Sequence, residues 1–400
     1  MNIEERFLKY ISYNTQCDEH SSTVPSTSNQ LVFARELVKE MKELNISNVE
    51  LSKEGVIYGT IKGNGGKQDI IGFIAHMDTS PDASGENIKP QIIRNYDGNA
   101  IKLNQELSLN PQEFPKLKKL VGHDLITTDG TTLLGADDKA GIAIIMSMAQ
   151  YLSNHPEIKH NDIQIAFTPD EEIGRGSDHF DVDRFHSQYA YTIDGDEIDV
   201  YNYENFNAYS AQVKIKGKSI HPGSAKGKMI NASRVAIKFD QLLSEFMRPE
   251  YTEKYEGFNH LHHIEGQCEY CQMDYIIRNH DKKILDQQIK QFNRAKDFLN
   301  EQYGYHCIDV QFTESYLNMA DIVLQHPKII ERLKNAMEKC GIEAQAQPIR
   351  GGTDGALLTY KNLPCPNIGT GGGNFHGPFE YVSLTSMKKG VQLLIELVRE

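Results

Sequence analysis

The 400-residue sequence has no apolar run long enough to cross a membrane, and it has few cysteines. A membrane-spanning helix needs about 20 consecutive apolar residues. The N-terminal segment MNIEERFLKY carries charges where a secretory signal would have an apolar core. Six cysteines in a chain of this length indicate no disulfide framework. We therefore expect a cytoplasmic protein without a membrane partner.

Positive charge is also scarce. The 42 Lys and Arg residues are outnumbered by 55 Asp and Glu residues, which gives a formal net charge of −13. An acidic surface repels phosphate backbones, so we expect no nucleic-acid partner. The composition, 39% hydrophobic and 24% charged, is ordinary for a globular protein. Since one domain usually has about 100–200 residues, the length predicts two domains or one domain with an insertion.

The pattern of apolar residues changes twice along the chain. Residues 1–206 alternate between helix-like and strand-like segments, which predicts an α/β sheet with helices on its faces. Residues 207–317 predict a compact α+β unit, and residues 318–400 return to the first pattern. We therefore predict one α/β domain, formed by 1–206 and 318–400, with a smaller domain inserted at 207–317. The predicted helices are 28–44, 138–152, 229–246, 281–302, 322–339 and 384–398, and the predicted strands include 69–75, 163–168, 189–193 and 207–217.

Polar groups follow several of the predicted strands at the point where each strand ends. His76 and Asp78 follow the first, and side chains two residues apart on an extended chain point the same way. Asp170-Glu171-Glu172 follows the next, and Asp194 follows the third. Adjacent carboxylates repel one another unless a cation neutralises them. Taken alone, each group also has an explanation without function: His76 and Asp78 as a chance pair, and the acidic run as a solvated loop.

Two further motifs are flanked in the sequence by small residues such as glycine and alanine. Asp137-Asp138 precedes a predicted helix, where the pair would either cap the helix or bind a ligand. His376 lies in the glycine-rich loop 371–377, which lacks the Lys-Ser/Thr of a phosphate-binding loop. The sequence also lacks GxSxG, so nothing supports a serine hydrolase of that type.

The coincidence of these motifs is more informative than any one of them. Open α/β sheets place their sites at the carboxyl ends of strands, where these groups are predicted to lie. Two histidines with three or four carboxylates suit two Zn²⁺ or Mn²⁺ ions that share one carboxylate. Such a pair polarises a carbonyl and generates hydroxide from water, and a spare carboxylate nearby acts as general base.

These residues resemble a known family, the co-catalytic zinc metallopeptidases that include carboxypeptidase G. The resemblance covers nearly the whole chain and is closest to the aminopeptidases that cleave tripeptides. It implies a mixed-sheet α/β zinc-peptidase catalytic domain with an inserted α+β lid domain. The motifs that carry it include VPST at 24–27, GFIAHMDTSPD at 72–82, LLGADDKAGIA at 133–143, AFTPDEEIGRG at 166–176, HPGSAKG at 221–227, YIIR at 275–278 and PIRGGTDGA at 348–356.

The resemblance implies a role for each residue of the cluster. His76, Asp137 and Asp194 would bind one zinc ion, while Asp137, Glu172 and His376 would bind the other, so that Asp137 bridges them. Asp138 matches the family's bridging position less well than Asp137 does. Asp78 would orient His76, and Glu171 would be the general base that acts on the metal-bridged water.

The resemblance also points to residues that would contact the substrate. His221 would donate a hydrogen bond to the developing oxyanion, and Arg278 would hold the terminal carboxylate of the peptide. Asn231, Arg350 and Asp354 are further candidates for substrate contact. The lid domain would close over the cleft to bring His221 and Arg278 to the metals.

We therefore expect a cytoplasmic dizinc aminopeptidase that hydrolyses the N-terminal peptide bond of tripeptides, as a monomer or a homodimer. The alternatives on the same scaffold are a dizinc dipeptidase, a carboxypeptidase and an N-acyl amino acid amidohydrolase. A peptide-binding or metal-storage protein without catalysis is the alternative from another class. One stretch lies outside the family pattern: Cys268-x-x-Cys271 with His260, His262 and His263 just upstream, which is either a zinc knuckle or a strand pair with two reduced thiols.

Overall fold

The computed structural model describes residues 1–67 and 69–400. The chain divides into two compact units. The first unit consists of Met1–Tyr203, Met319–Gln347 and Thr353–Glu400, and the second consists of Glu204–Asn318 and Pro348–Gly352. The short segment with Arg350 thus belongs to the second unit, although it lies within the residues assigned by sequence to the first.

The described residues form ten α-helices and eighteen strands, numbered here in chain order. The helices are α1 Ile3–Ile11, α2 Ser28–Glu43, α3 Ala136–Asn154, α4 Val182–Phe185, α5 Ala232–Gln241, α6 Lys282–Tyr303, α7 Ala320–Val323, α8 Pro327–Lys339, α9 Asp354–Tyr360 and α10 Leu384–Val398. The strands are β1 Ser47–Leu51, β2 Ile57–Ile61, β3 Ile71–His76, β4 Gln91–Ile93, β5 Ile101–Lys102, β6 Ser108–Leu109, β7 Leu125–Thr127, β8 Ile163–Thr168, β9 Tyr189–Gly195, β10 Val200–Asn202, β11 Asn207–Lys216, β12 Phe258–Gly266, β13 Tyr270–Asn279, β14 Ile308–Tyr316, β15 Gln345–Ala346, β16 Asn367–Gly369, β17 Gly372–Gly373 and β18 Tyr381–Ser383.

The first unit is built on an eight-stranded mixed sheet with the order β1-β2-β8-β3-β9-β16-β10-β15. Its central strands β8, β3, β9 and β16 run parallel. At one side β2 pairs antiparallel with β8, and β1 pairs antiparallel with β2. Every residue of β3 is buried, as expected for a parallel strand covered on both faces. Since β3, β8 and β9 are parallel, the residues that follow them lie at the same edge of the sheet.

Helix α3 covers the centre of this sheet. Its sequence is apolar nearly all round, which is typical of a helix that is buried rather than amphipathic. It packs against the strands β3 and β9 and against the helices α1 and α10. The N-terminus of α3, with Asp137 and Asp138, is thereby fixed beside the ends of those two strands.

The second unit is a four-stranded antiparallel sheet with the order β12-β13-β11-β14. Buried and partly exposed residues alternate along β13, which shows that one face of the sheet is covered and the other is not. Helices α5 and α6 supply the cover, and Phe239 and Phe292 pack against Tyr275. In the described part of the chain, no helix is both long and apolar enough to span a membrane.

The predicted fold class, an α/β protein with a mixed sheet, is confirmed. Strand 163–168 and helix 384–398 have the predicted bounds. The single helix predicted over 322–339 is wrong, because α7 ends at Val323 and α8 begins at Pro327. Proline has no N–H to continue a preceding helix, but it is well suited to the first turn of a new one.

Candidate metal centre

Five side chains from five separate segments meet at the carboxyl edge of the central strands. His76 is the last residue of β3, and Asp194 lies near the end of β9. Glu172 follows β8 in a short 3₁₀ turn, and Asp137 lies in the first turn of α3. His376 comes from the loop between β17 and β18. The sheet topology therefore explains how residues 300 positions apart in sequence become neighbours.

The five side chains form two groups that share one carboxylate. The His76 Nε2 atom lies 2.8 Å from Asp137 Oδ1 and 3.4 Å from Asp194 Oδ1. The His376 Nε2 atom lies 3.3 Å from Asp137 Oδ2 and 2.9 Å from Glu172 Oε2. In each group, the possible ligand atoms are all within 4.8 Å of one another. Each group therefore offers three ligands to one ion, and Asp137 offers one oxygen to each.

The buried carboxylates of this cluster would be stabilised by bound cations. Burial, with the Asp137 carboxylate nearby, raises the pKa of Glu172 to about 7. Burial likewise raises the pKa of Asp194 to about 6. The Glu172 Oε1 atom is buried and has no hydrogen-bond partner among the described residues. A buried carboxylate oxygen without a donor is costly, and a bound divalent ion would remove that cost.

Asp78 joins the two sides of the cluster and is fully buried. Its Oδ1 atom lies 3.3 Å from the His76 Nδ1 atom. The same carboxylate accepts hydrogen bonds from the backbone N–H groups of Glu171, at 3.0 Å, and Glu172, at 3.1 Å. Asp78 therefore contacts the ring of one candidate ligand and the backbone of another.

Glu171 belongs to neither group of three but lies beside both. Its Oε1 atom accepts a hydrogen bond of 3.2 Å from the backbone N–H of Asp354. Burial raises the pKa of Glu171 well above its usual range, and Asp194 contributes to the shift. Asp354 is itself buried, and its carboxylate accepts a hydrogen bond of 2.8 Å from Thr168 Oγ1.

The second unit contains four of the residues predicted to contact substrate. His221 is exposed, and its Nδ1 atom accepts a hydrogen bond of 3.2 Å from the backbone N–H of Gly223. In the neutral ring, the proton must then reside on Nε2, which is free to donate. Asn231 is the N-cap of α5, and its side-chain oxygen accepts from the Arg234 N–H.

Arg278 and Arg350 differ in how many of their donors are already used. Arg278 lies on β13 and donates from Nη1 to the carbonyl oxygens of Tyr209 and Ile277. Within the described part of the chain, its Nε and Nη2 atoms donate to no other residue. Arg350 donates from both terminal nitrogens, to the carbonyls of Lys254 and Glu256 and to the Thr252 hydroxyl.

Comparisons with known proteins place the chain in a family. The profile of the Peptidase family M20/M25/M40 matches residues 128–400. Peptidase T of Caldanaerobacter subterraneus subsp. tengcongensis is 50% identical over 399 residues, which cover 99% of this chain and 98% of that relative. Peptidase T of Bacillus subtilis is 48% identical over 401 residues, with 100% and 98% covered. The chain belongs to this peptidase family.

Solved structures have the same fold. The crystal structure of aminopeptidase PepT from Bacillus cereus matches with a TM-score of 0.79 at 21% identity, covering 99% of this chain and 97% of that one. A tripeptidase from Staphylococcus aureus matches with the same TM-score and coverage at 18% identity. A protein from Bacillus subtilis described as a dinuclear metal-binding M20 peptidase matches with a TM-score of 0.65 at 13% identity, with 99% and 97% covered.

Sequence reasoning missed one residue that organises the peptidase's cluster. Glu380 is buried, and its carboxylate accepts hydrogen bonds from the backbone N–H groups of Leu134, Gly135 and Asp137 at 2.6, 2.9 and 3.1 Å. These bonds hold the segment that leads into α3. The only signal in the sequence was a single carboxylate before the apolar strand β18, which is too common a pattern to identify such a role.

The Cys and His side chains of residues 260–271 do not come together as the ligands of a zinc knuckle. Cys271 is buried among the apolar residues of the second unit, and burial raises the pKa of its thiol. In residues 1–67 and 69–400, the groups of three side chains close enough to share an ion are the two described above. The alternative, a strand pair with two thiols, describes β12 and β13.

Proposed function

We propose that this peptidase is a dizinc aminopeptidase that releases the N-terminal residue of tripeptides. The observation that carries the proposal is the pair of three-residue groups that share Asp137. The tripeptide substrate is supported by relatives named Peptidase T and by fold neighbours described as an aminopeptidase and a tripeptidase.

The chemistry of the donor set favours zinc. Imidazole and carboxylate ligands suit Zn²⁺, and two zinc ions would be held by His76, Asp137 and Asp194 and by Asp137, Glu172 and His376. When bound, such a pair polarises the scissile carbonyl and makes water a better nucleophile. The buried Asp78 would hold the His76 ring in the orientation that binding requires, since its backbone carbonyl oxygen and its carboxylate lie 3.1 and 3.3 Å from His76 Nδ1.

Glu171 is proposed as the general base. One of its oxygens accepts the Asp354 N–H, which fixes the carboxylate, and the other is left to take a proton from the attacking water. The same oxygen would then give the proton to the leaving amine nitrogen. Asp354 would act as a positioning residue, since its carboxylate is buried and accepts from Thr168.

A cavity of about 290 Å³ beside His376 is suited to the peptide's N-terminal ammonium. Glu19 and Asp82 line it together with Glu172, whereas Arg175 is its only basic lining residue other than His376. One nitrogen of Arg175 already donates to the carbonyl oxygen of Ser21. The excess of carboxylates favours a cationic amine over a carboxylate at this position, as an aminopeptidase requires and a carboxypeptidase does not.

The second unit would supply the remaining contacts with the peptide. His221 would donate from Nε2 to the oxyanion, because its Nδ1 atom already accepts from Gly223. Arg278 would hold the C-terminal carboxylate with its Nε and Nη2 donors. Arg350 would shape the site rather than bind directly, because both of its terminal nitrogens already donate within the unit. Asn231 would offer only its amide nitrogen to the peptide, because its side-chain oxygen already accepts from Arg234.

The proposal is tested by measuring the zinc content per chain together with the rate of tripeptide hydrolysis. We expect the purified protein to contain about two zinc ions per chain by plasma mass spectrometry. Removal by EDTA should abolish tripeptide hydrolysis, and two added equivalents of zinc should restore it. Full activity after complete removal of metal would refute the dizinc mechanism. Tight binding of two ions without any peptidase activity would instead favour a metal-storage or peptide-binding role.

A further inference from the structure

Strand β12 carries three histidines to which the proposed peptidase reaction assigns no role. β12 is an edge strand, because it pairs with β13 on one side only. His260, His262 and His263 are all exposed. In the ladder, His260 lies opposite Ile276 and His263 opposite Asp274, with an irregularity between Leu261 and His263. This β-bulge changes the alternation of side chains along the strand.

We propose that His260 and His262 bind one divalent transition-metal ion, such as Zn²⁺, Ni²⁺ or Cu²⁺, at a site separate from the peptidase centre. Leu261, between them, packs against the apolar core of the unit, which leaves the two histidines on the outer face. Their ring centroids are 6.3 Å apart. In the described part of the chain, neither ring is hydrogen-bonded to another residue.

The distance between the two ring centroids is close to the distance expected for two imidazoles bound to one ion. With metal–nitrogen distances of about 2.0–2.1 Å, two imidazoles on one tetrahedral ion have centroids roughly 5–6 Å apart. The observed 6.3 Å separation therefore needs only a small rotation of two exposed side chains. Imidazole is a preferred ligand for these ions, and water would complete the coordination.

His263 is the natural comparison within the same strand. Its Nδ1 atom lies 3.0 Å from the Asp274 carboxylate, which also accepts hydrogen bonds from Gln212 and Gln272. This ring is therefore already fixed by a carboxylate on the neighbouring strand. Cys268 and Cys271 are not needed, and the buried Cys271 would have to leave the core to reach an ion on the outer face.

The test is a calorimetric titration of Zn²⁺ into the full-length holoprotein, dialysed until its metal content is constant. We expect the wild-type protein to bind one further equivalent. The double variant His260→Gln/His262→Gln should bind it at least about tenfold more weakly, since loss of even an outer partner of a metal ligand typically costs 10–100-fold in affinity. Tripeptide hydrolysis by the double variant should equal that of wild type.

Two matched controls make the result specific. His263→Gln changes the third histidine of the same strand, and His326→Gln removes an exposed histidine of the first unit. Both should titrate like wild type to within about threefold. The proposal is overturned if the double variant binds the further equivalent as tightly as wild type, if wild type binds none, or if His263→Gln alone removes the binding. Because the protein is already loaded at its peptidase centre, failure here leaves the proposed function unaffected.

Discussion

The candidate metal cluster of the first unit and the candidate substrate residues of the second differ in how their side chains are held. In the cluster, the supporting carboxylates Asp78 and Glu380 are buried, and each accepts two or more backbone N–H groups. In the second unit, His221 is exposed and has a single hydrogen bond to its ring.

This difference corresponds to two different tasks. The ligands of two metal ions must be held in place before the ions bind, because misplaced ligands weaken metal binding and catalysis. Residues that contact a peptide only during turnover must stay accessible until it binds. We therefore expect substitutions in the cluster to change metal content and turnover, and substitutions of Arg278 in the second unit to change mainly the apparent affinity for substrate. His221 is the exception in that unit, because a donor to the oxyanion acts on turnover.

The largest effect is expected for Asp137→Ala. Both candidate groups depend on this carboxylate, so the variant should lose metal at both positions and turnover should fall by more than about 10⁴-fold, the upper range for loss of a general base. Metal analysis and tripeptide hydrolysis measure the two effects. Asp196→Ala, which changes an exposed carboxylate paired with Lys116, should retain both. A variant at position 137 that still binds two zinc ions tightly would show that Asp137 is not the bridge.

Glu171→Gln should separate metal binding from catalysis. The amide keeps an oxygen that can accept the Asp354 N–H, but it cannot take a proton from water. Turnover should therefore fall about 10²–10⁴-fold while zinc content stays at the wild-type level. Near-normal kcat in the zinc-loaded variant would rule out Glu171 as the base.

Glu380→Gln tests the buried support without touching a candidate ligand side chain. The amide replaces one acceptor oxygen with a donor that faces backbone N–H groups, so the segment before α3 should loosen. Zinc affinity should fall about 10–100-fold, as is typical when an outer partner of a metal site is lost. Competition with a zinc chelator measures the change, and the exposed Glu343→Gln serves as the control. Unaltered affinity would mean that the cluster does not depend on this support.

Arg278→Lys addresses the second unit. Lysine keeps the charge but loses the planar fork, so KM for tripeptides should rise about ten- to a hundredfold, because a charge-assisted hydrogen bond is worth ~1.5–3 kcal/mol. The variant should also discriminate less between free and C-terminally amidated tripeptides. Arg294→Lys, an exposed substitution on α6, is the matched control. If the wild-type enzyme cleaves free and amidated tripeptides equally well, Arg278 does not hold the carboxylate.

Three segments of the cluster could be predicted from sequence because they follow strands that are easily identified, whereas the division of its side chains into two ligand groups came from the family resemblance. The apolar runs before His76, Glu171 and Asp194 predict parallel strands, and parallel strands end at one edge of a sheet. The hydrogen bonds of Asp78 to residues 171 and 172 could not be predicted in this way. They depend on how two loops from different strands pack together, which local patterns do not specify.

The small strands were also beyond the reach of sequence patterns. The sheet β17-β18-β7-β4 consists of strands of two or three residues, which are too short for an alternation of apolar and polar residues to show. That sheet carries both the loop with His376 and the segment before β18 with Glu380. His376 was still found because histidine in a glycine-rich loop is chemically distinctive, whereas a single glutamate is not.

The most direct test of the central claim is mass analysis of the products from free and N-acetylated peptides of two, three and four residues, with zinc present. A tripeptide aminopeptidase should convert the free tripeptide to its N-terminal residue and a dipeptide, and should cleave the other lengths much more slowly. It should leave the acetylated tripeptide intact, because the blocked amine cannot enter the acidic cavity as a cation. Release of the C-terminal residue, or efficient cleavage of the acetylated substrate, would contradict the account.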